Sequence, residues 1–135
     1  MSNEQELYSD KWGRIIGDTQ RRHIEIIWTE ETANMSAADF VQWLTRFAAL
    51  DEFGRCRTAL VDARPFRMDP AGLDMGWRDE QIIPRYNAAG VKKFAFLMPA
   101  AMPAIGADPA PEGPADFPTA YFAERTQAQA WLDGA

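Results

Sequence analysis

Apolar and polar positions change their period along this chain, and each change predicts an element. HIEIIW at 23–28 partly alternates and 12–16 carries a shorter apolar segment. Together they predict a β-hairpin, with Gly17-Asp18 as turn signal and the turn itself over 18–21. From Ser36 the period lengthens: Phe40, Trp43, Leu44 and Phe47 fall at helical spacing and give one face to bury. The Ser36 hydroxyl suits the cap, Asp39 adds charge at the positive end of the helix dipole, and Gly54 suits the C-terminal stop.

The run Thr58-Ala59-Leu60-Val61 is apolar without alternation, the pattern of a strand buried on both faces. Asp62 closes it, Pro65 breaks the ladder, and Asp69-Pro70 predicts a helix start, proline having no N–H to leave unpaired. Gly72, Leu73, Gly76 and Trp77 share one side of that helix, Pro84 should interrupt or kink it, and Gly90 should end it. VKKFAFLM at 91–98 predicts a further strand. The alanine, proline and glycine of 99–118 predict a long surface loop, and 120–123 a last short strand. Thr126 with Gln129 has the spacing of a capping box, opening a helix that turns Ala128, Trp131 and Leu132 inward. The order β-β-α-β-α-β-β-α predicts a single α/β domain over 1–135, with a mostly parallel sheet and right-handed crossovers. Residues 1–10 are polar and predict a disordered, frayed end.

Composition narrows the function classes. With 47% hydrophobic and 25% charged residues the 135-residue chain has the make-up of an ordinary globular domain. Its net charge of −6 argues against nucleic-acid binding. No apolar run suits membrane insertion and MSNEQELYSDKW has no apolar signal segment, so a cytoplasmic protein is expected. The single cysteine, Cys56, allows no internal disulfide and no thiolate cluster, and reads as a packing thiol.

Three segments in order, VDARPFRMDPAGL, KKFAFLMP and YFAERTQAQAWL, resemble the STAS-like domains, in particular the stage II sporulation AA-like subgroup. The resemblance covers about residues 12–134. It implies a mixed sheet of four to five strands with helices packed mainly on one side. It also implies company with anti-sigma-factor antagonists, cytoplasmic domains of anion transporters and stand-alone modules. The antagonists carry Asp-Ser-Ser-Gly-Leu at the helix start and are phosphorylated on the second serine. Here the matching residues are Asp69-Pro70-Ala71-Gly72-Leu73, and the strand-to-motif spacing is slightly shorter. Ala71 has no hydroxyl, so the resemblance implies the scaffold without its phosphorylation switch.

Chemistry-bearing residues form no evident catalytic set. His23 is the only histidine, and Ser2, Ser9 and Ser36 offer no nucleophile elbow, so His23 is expected at a surface or edge. Asp62, with Asp69 and Asp74, has the residue types for acid–base work or magnesium. A cap, a dipole contact and a pair with Arg64 or Arg57 account for them as structural residues, and that reading is preferred. No metal and no cofactor is expected, the phosphate-binding glycine motifs being missing. Arg64, Arg67, Arg78 and Arg85 are either solvated charges or anion forks. With Phe66, Trp77, Ile83 and Tyr86 they make the expected ligand or partner patch, near the kinked helix and the proline-rich loop. Three roles follow. The first is a non-catalytic regulatory module working through a protein partner or self-association. The second is a binding protein for a small amphipathic or anionic, lipid-like ligand held by Arg64 or Arg67. The third is an enzyme using Asp62 with an arginine.

Overall fold

A computed structural model describes residues 4–69, 75–101, 103 and 105–134. Seven strands form one mixed sheet in the order β1-β2-β3-β4-β5-β7-β6. They are β1 (Glu4–Asp10), β2 (Gly13–Asp18), β3 (His23–Trp28), β4 (Thr58–Asp62), β5 (Lys93–Leu97), β6 (Ala110–Pro111) and β7 (Pro118–Phe122). The helices are α1 (Ala37–Gly54), α2 (Met75–Trp77), α3 (Ile83–Ala89) and α4 (Arg125–Asp133). A π-helical turn, Arg78–Ile82, joins α2 to α3 without a break. The sheet is larger than the four to five strands expected, because an exposed strand, β1 or β6, is added at each edge.

β1 corrects the expected disordered N-terminus. Glu4–Asp10 pairs antiparallel with β2 although its residues are almost all exposed. Its anchor is Asp10, whose carboxylate accepts from the Tyr8 hydroxyl at 2.7 Å, the Trp12 amide at 2.8 Å and the Trp43 indole N–H at 3.1 Å. Leu7 sits over Gly17, where a Cβ would approach its Cδ1 to 2.8 Å. Gly17 and Asp18 thus belong to the strand, and the turn falls on 19–22. There Asp18 Oδ1 accepts from the Gln20 and Arg21 amides and Arg22 takes the left-handed conformation.

β3, β4, β5 and β7 are neighbours and parallel. Each crossover advances one position in the same direction, so right-handed connections put α1, the α2–α3 segment and the stretch 112–117 on one face, where Ala115 and Phe117 join the core. That face holds the main core, built on Ile24, Ile26, Val61, Phe94, Trp43, Phe47 and Tyr86. α4 packs on the other face, where Ala128 and Leu132 cover Leu60, Ala95 and Leu97. β4 is therefore buried on both sides, as its unbroken apolar run predicts.

Local chemistry accounts for most helix ends. Ser36 and Asp39 form a full capping box: Ser36 Oγ accepts from the Asp39 amide and the Asp39 carboxylate from the Ser36 amide. α1 runs through Gly54 to a left-handed cap at Arg55, one residue later than the sequence predicts. Gly90 ends α3 at φ 99°. Pro84 does not break its helix. The wider π turn just before it makes room for a ring that would otherwise crowd the preceding turn. α4 begins at Arg125 after Glu124, and no Thr126–Gln129 capping box forms. The predicted helix start at Asp69-Pro70, with Ala71, Gly72, Leu73 and Asp74, lies outside the described residues beyond Asp69 itself.

Candidate functional site: an aromatic cleft at the strand ends

At the carboxyl ends of the parallel strands a cleft of about 500 Å³ opens on the α1 face. In open α/β sheets these ends are where ligands meet the fold. β3 supplies Ile26 and Trp28 to its floor, β4 and the residue after it Val61 and Ala63, and β5 Phe94 and Phe96. α1 contributes Phe40 and Leu44 to one wall. The opposite wall is Arg78, from the π turn, and Tyr86 from α3, with Glu112 and Tyr121 at the β6–β7 side. The lining is overwhelmingly apolar and aromatic, and its volume suits a small organic molecule.

Two loops shape this cleft, and both are pinned. After β4, the Ala63 amide donates to the Leu97 carbonyl and the Arg67 amide to Thr32 Oγ1 at 2.8 Å. Thr32 is fully buried and its own hydroxyl donates to the Thr29 carbonyl. These contacts set Phe66 against Trp28 and Phe40, at ring separations of 5.2 and 6.1 Å. On the other side Asn87 donates to the Pro114 carbonyl and accepts from the Asp116 amide. Gly113, at φ 53°, passes so close to Asp79 that a Cβ would meet its carboxylate at 2.9 Å. The 112–117 stretch is thereby held to the π turn and α3.

The cleft's polar groups are few. The Tyr121 hydroxyl donates to the Glu112 carboxylate. Burial first, and that hydrogen bond second, push the Tyr121 pKa up; burial alone dominates at Tyr86. Both phenols therefore stay neutral. The Arg78 guanidinium lies 6.0 Å from the Phe96 ring centre, and its charge reaches both Tyr86 and Tyr121. Among the described residues it meets no carboxylate within ion-pair distance.

The predicted patch is divided by the fold. Phe66, Arg78 and Tyr86 come together in the cleft. Ile83 is core, and Trp77 packs half-buried against it. Arg85 reaches back to α1 and pairs with Glu52, whose pKa that contact lowers. Arg67 donates to the carbonyls of Arg64 and Phe66 and stands 4.0 Å from Glu30. Arg64 chelates Asp62 through Nε at 2.9 Å and Nη2 at 2.8 Å. Neither Arg64 nor Arg67 lines the cleft, so neither is placed to hold a ligand's head there. Missed by the sequence reading were Trp28, Phe94, Phe96, Tyr121 and Glu112, whose aromatic members look individually like core.

A second polar cluster lies on the α4 face and corrects the placement of His23. That residue is 2% exposed, with Nδ1 2.8 Å from Thr58 Oγ1 and Nε2 3.3 Å from Glu25 Oε1. Glu25 is ionised: burial pushes its carboxyl up, but the His23 hydrogen bond and the Arg125 charge outweigh this and lower it. In the neutral ring Nε2–H accordingly donates to Glu25, and the Thr58 hydroxyl donates to Nδ1. Arg125 bridges Glu25 at 3.0 Å and Asp62 at 3.5 Å. Burial also acts upward on Asp62, and the Arg64 contacts bring it below the usual carboxylate range. With its oxygens taken by two arginines and its basicity reduced, Asp62 is poorly suited to general base work. Among the described residues no three His, Cys, Asp or Glu side chains converge as metal ligands, and no helix is long and apolar enough to cross a membrane.

No family model matches this chain, and no curated protein or solved structure matches it.

Proposed function

We propose that this chain is a binding protein for a small amphipathic molecule seated in the aromatic cleft. The observation that carries the reading is the cleft itself: about 500 Å³, lined among the described residues by seven aromatic side chains and two charged ones, Arg78 and Glu112, at the carboxyl ends of four parallel strands. A cavity of this size with so apolar a lining supports occupation by an apolar body, and its few polar groups suit a single oriented head. A regulatory role can stand alongside it: a module without a hydroxyl at position 71 would take another input than phosphate there. A bound small molecule would be such an input.

Titration with the neutral apolar fluorophore N-phenyl-1-naphthylamine tests the binding reading. The expected result is saturable one-to-one fluorescence enhancement that Ala63→Trp, filling the cleft from its floor, abolishes while the near-UV circular dichroism stays native-like. Enhancement that persists undiminished in the folded Ala63→Trp variant, or that never saturates, counts against the cleft as the site.

A further inference from the structure

Resting on that reading, we propose that the cleft selects an amphiphile whose head carries a single negative charge, and that Arg78 is the residue that selects it. The four arginines of the predicted patch have different surroundings. Arg64 is chelated by Asp62, Arg85 is paired with Glu52, and Arg67 is turned onto backbone carbonyls. Arg78 alone of the four lines the cleft. It projects from the π-helical turn, a distortion that recurs at functional positions and here coexists with Pro84 one turn on. It lines the cleft with its guanidinium 6.0 Å from the Phe96 ring centre and, among the described residues, in no ion pair, so its planar fork can meet a carboxylate or sulfonate oxygen pair.

The other charged group in the cleft limits that head to one charge. Glu112 is held in the lining by the Tyr121 hydroxyl. A second negative charge on the ligand would face this carboxylate with no further cationic side chain among the described lining residues to offset it. Tyr86 and Tyr121, both neutral, add hydrogen-bonding capacity without charge. An acyl or aromatic monoacid therefore matches the cleft better than a phosphate monoester, a dicarboxylate or a cation.

The experiment uses the full chain and two probes that differ in one group: 1-anilinonaphthalene-8-sulfonate, and N-phenyl-1-naphthylamine, which lacks the sulfonate. The expected result is that Arg78→Met weakens the sulfonate probe about tenfold and leaves the neutral probe within about twofold, since the thioether keeps the apolar stem while removing the charge. Arg78→Lys recovers part of the loss. In the wild type, added salt weakens the sulfonate probe and spares the neutral one. Equal effects of Arg78→Met on the two probes, or no effect on either, overturn the inference while the binding reading stands. Failure of both probes to bind the wild type overturns both. Should Arg78→Met not fold, the wild-type salt comparison decides: salt-insensitive sulfonate binding rejects Arg78 as the selector.

Discussion

Asp51→Asn should make the protein more stable, and increasingly so as pH rises. Asp51 lies in the last turn of α1, is 0% exposed, and neither carboxylate oxygen has a hydrogen-bond partner among the described residues. The nearby Cys56 thiol lowers its pKa slightly but, as a weak donor, does not meet hydrogen-bond geometry. Burial dominates and pushes the pKa from 3.8 to about 7; the negative end of the helix dipole acts in the same direction. The folded chain thus keeps a proton that the unfolded chain has released. Stability falls as pH rises from about 4 to 7, and the full penalty persists above 7. A shift of about three units corresponds to roughly 4 kcal/mol, a large share of a typical domain's total. About two of those units fall between pH 5 and pH 7. The stability gap between Asp51→Asn and wild type should therefore widen by up to about 3 kcal/mol from pH 5 to pH 8. Urea unfolding followed by tryptophan fluorescence at several pH values in this range measures it. Glu25 and Asp62, whose pKa values are lowered, lose their contribution only as pH falls below the ordinary carboxylate range, outside this window. A gap that stays constant across the range would refute the reasoning.

Asp10→Ala should release β1 from α1, costing about 2 kcal/mol, because one carboxylate serves three donors. Faster amide exchange confined to 4–10 and altered Trp43 emission would report it; unchanged exchange there would contradict it. Asn87→Ala should free the 112–117 wall of the cleft by removing two hydrogen bonds, seen as loss of protection at the Asp116 amide with little change in global stability. Glu25→Gln should cost about 2 kcal/mol at pH 7 by removing the nearer of the two buried carboxylates that Arg125 bridges and leaving it only Asp62 at 3.5 Å. That cost should persist from pH 7 down to pH 5, because the Glu25 carboxyl is held below its ordinary range; denaturant curves at the two pH values compare it, and a cost that vanishes by pH 5 would argue against an ionised, stabilised Glu25.

The sequence was most legible where one period served one environment. α1 shows its buried face because Trp43, Leu44 and Phe47 sit in a single stripe, and β4 shows its double burial because Ala59 and Val61 face α1 while Leu60 faces α4. β1 was not legible: an edge strand exposed on both faces has no apolar alternation to display, and Glu4, Glu6 and Asp10 guard that edge by charge. His23 was misplaced because a polar residue in an alternating strand reads as solvent-facing. Its buried partner Glu25 is in turn paired with Arg125, one hundred residues further along the chain. The cleft was only partly legible. Phe66, Arg78 and Tyr86 could be singled out, but Trp28, Phe94, Phe96 and Tyr121 carry the same pattern whether they fill a core or line an opening. What distinguishes the two is how α1 and the π turn are spaced across the sheet, which no local spacing encodes.

The central claim is that a small amphiphile occupies this cleft, and the most direct test is to see where one binds. A titration of isotope-labelled protein with decanoate, followed by two-dimensional NMR, maps it residue by residue. The account predicts shifts concentrated at the Trp28 indole, Ala63, Phe66, Arg78, Phe96 and Tyr121. Shifts gathered instead around Phe53, 91% exposed beside Leu7 at the far end of α1, or none at saturating decanoate, would contradict it.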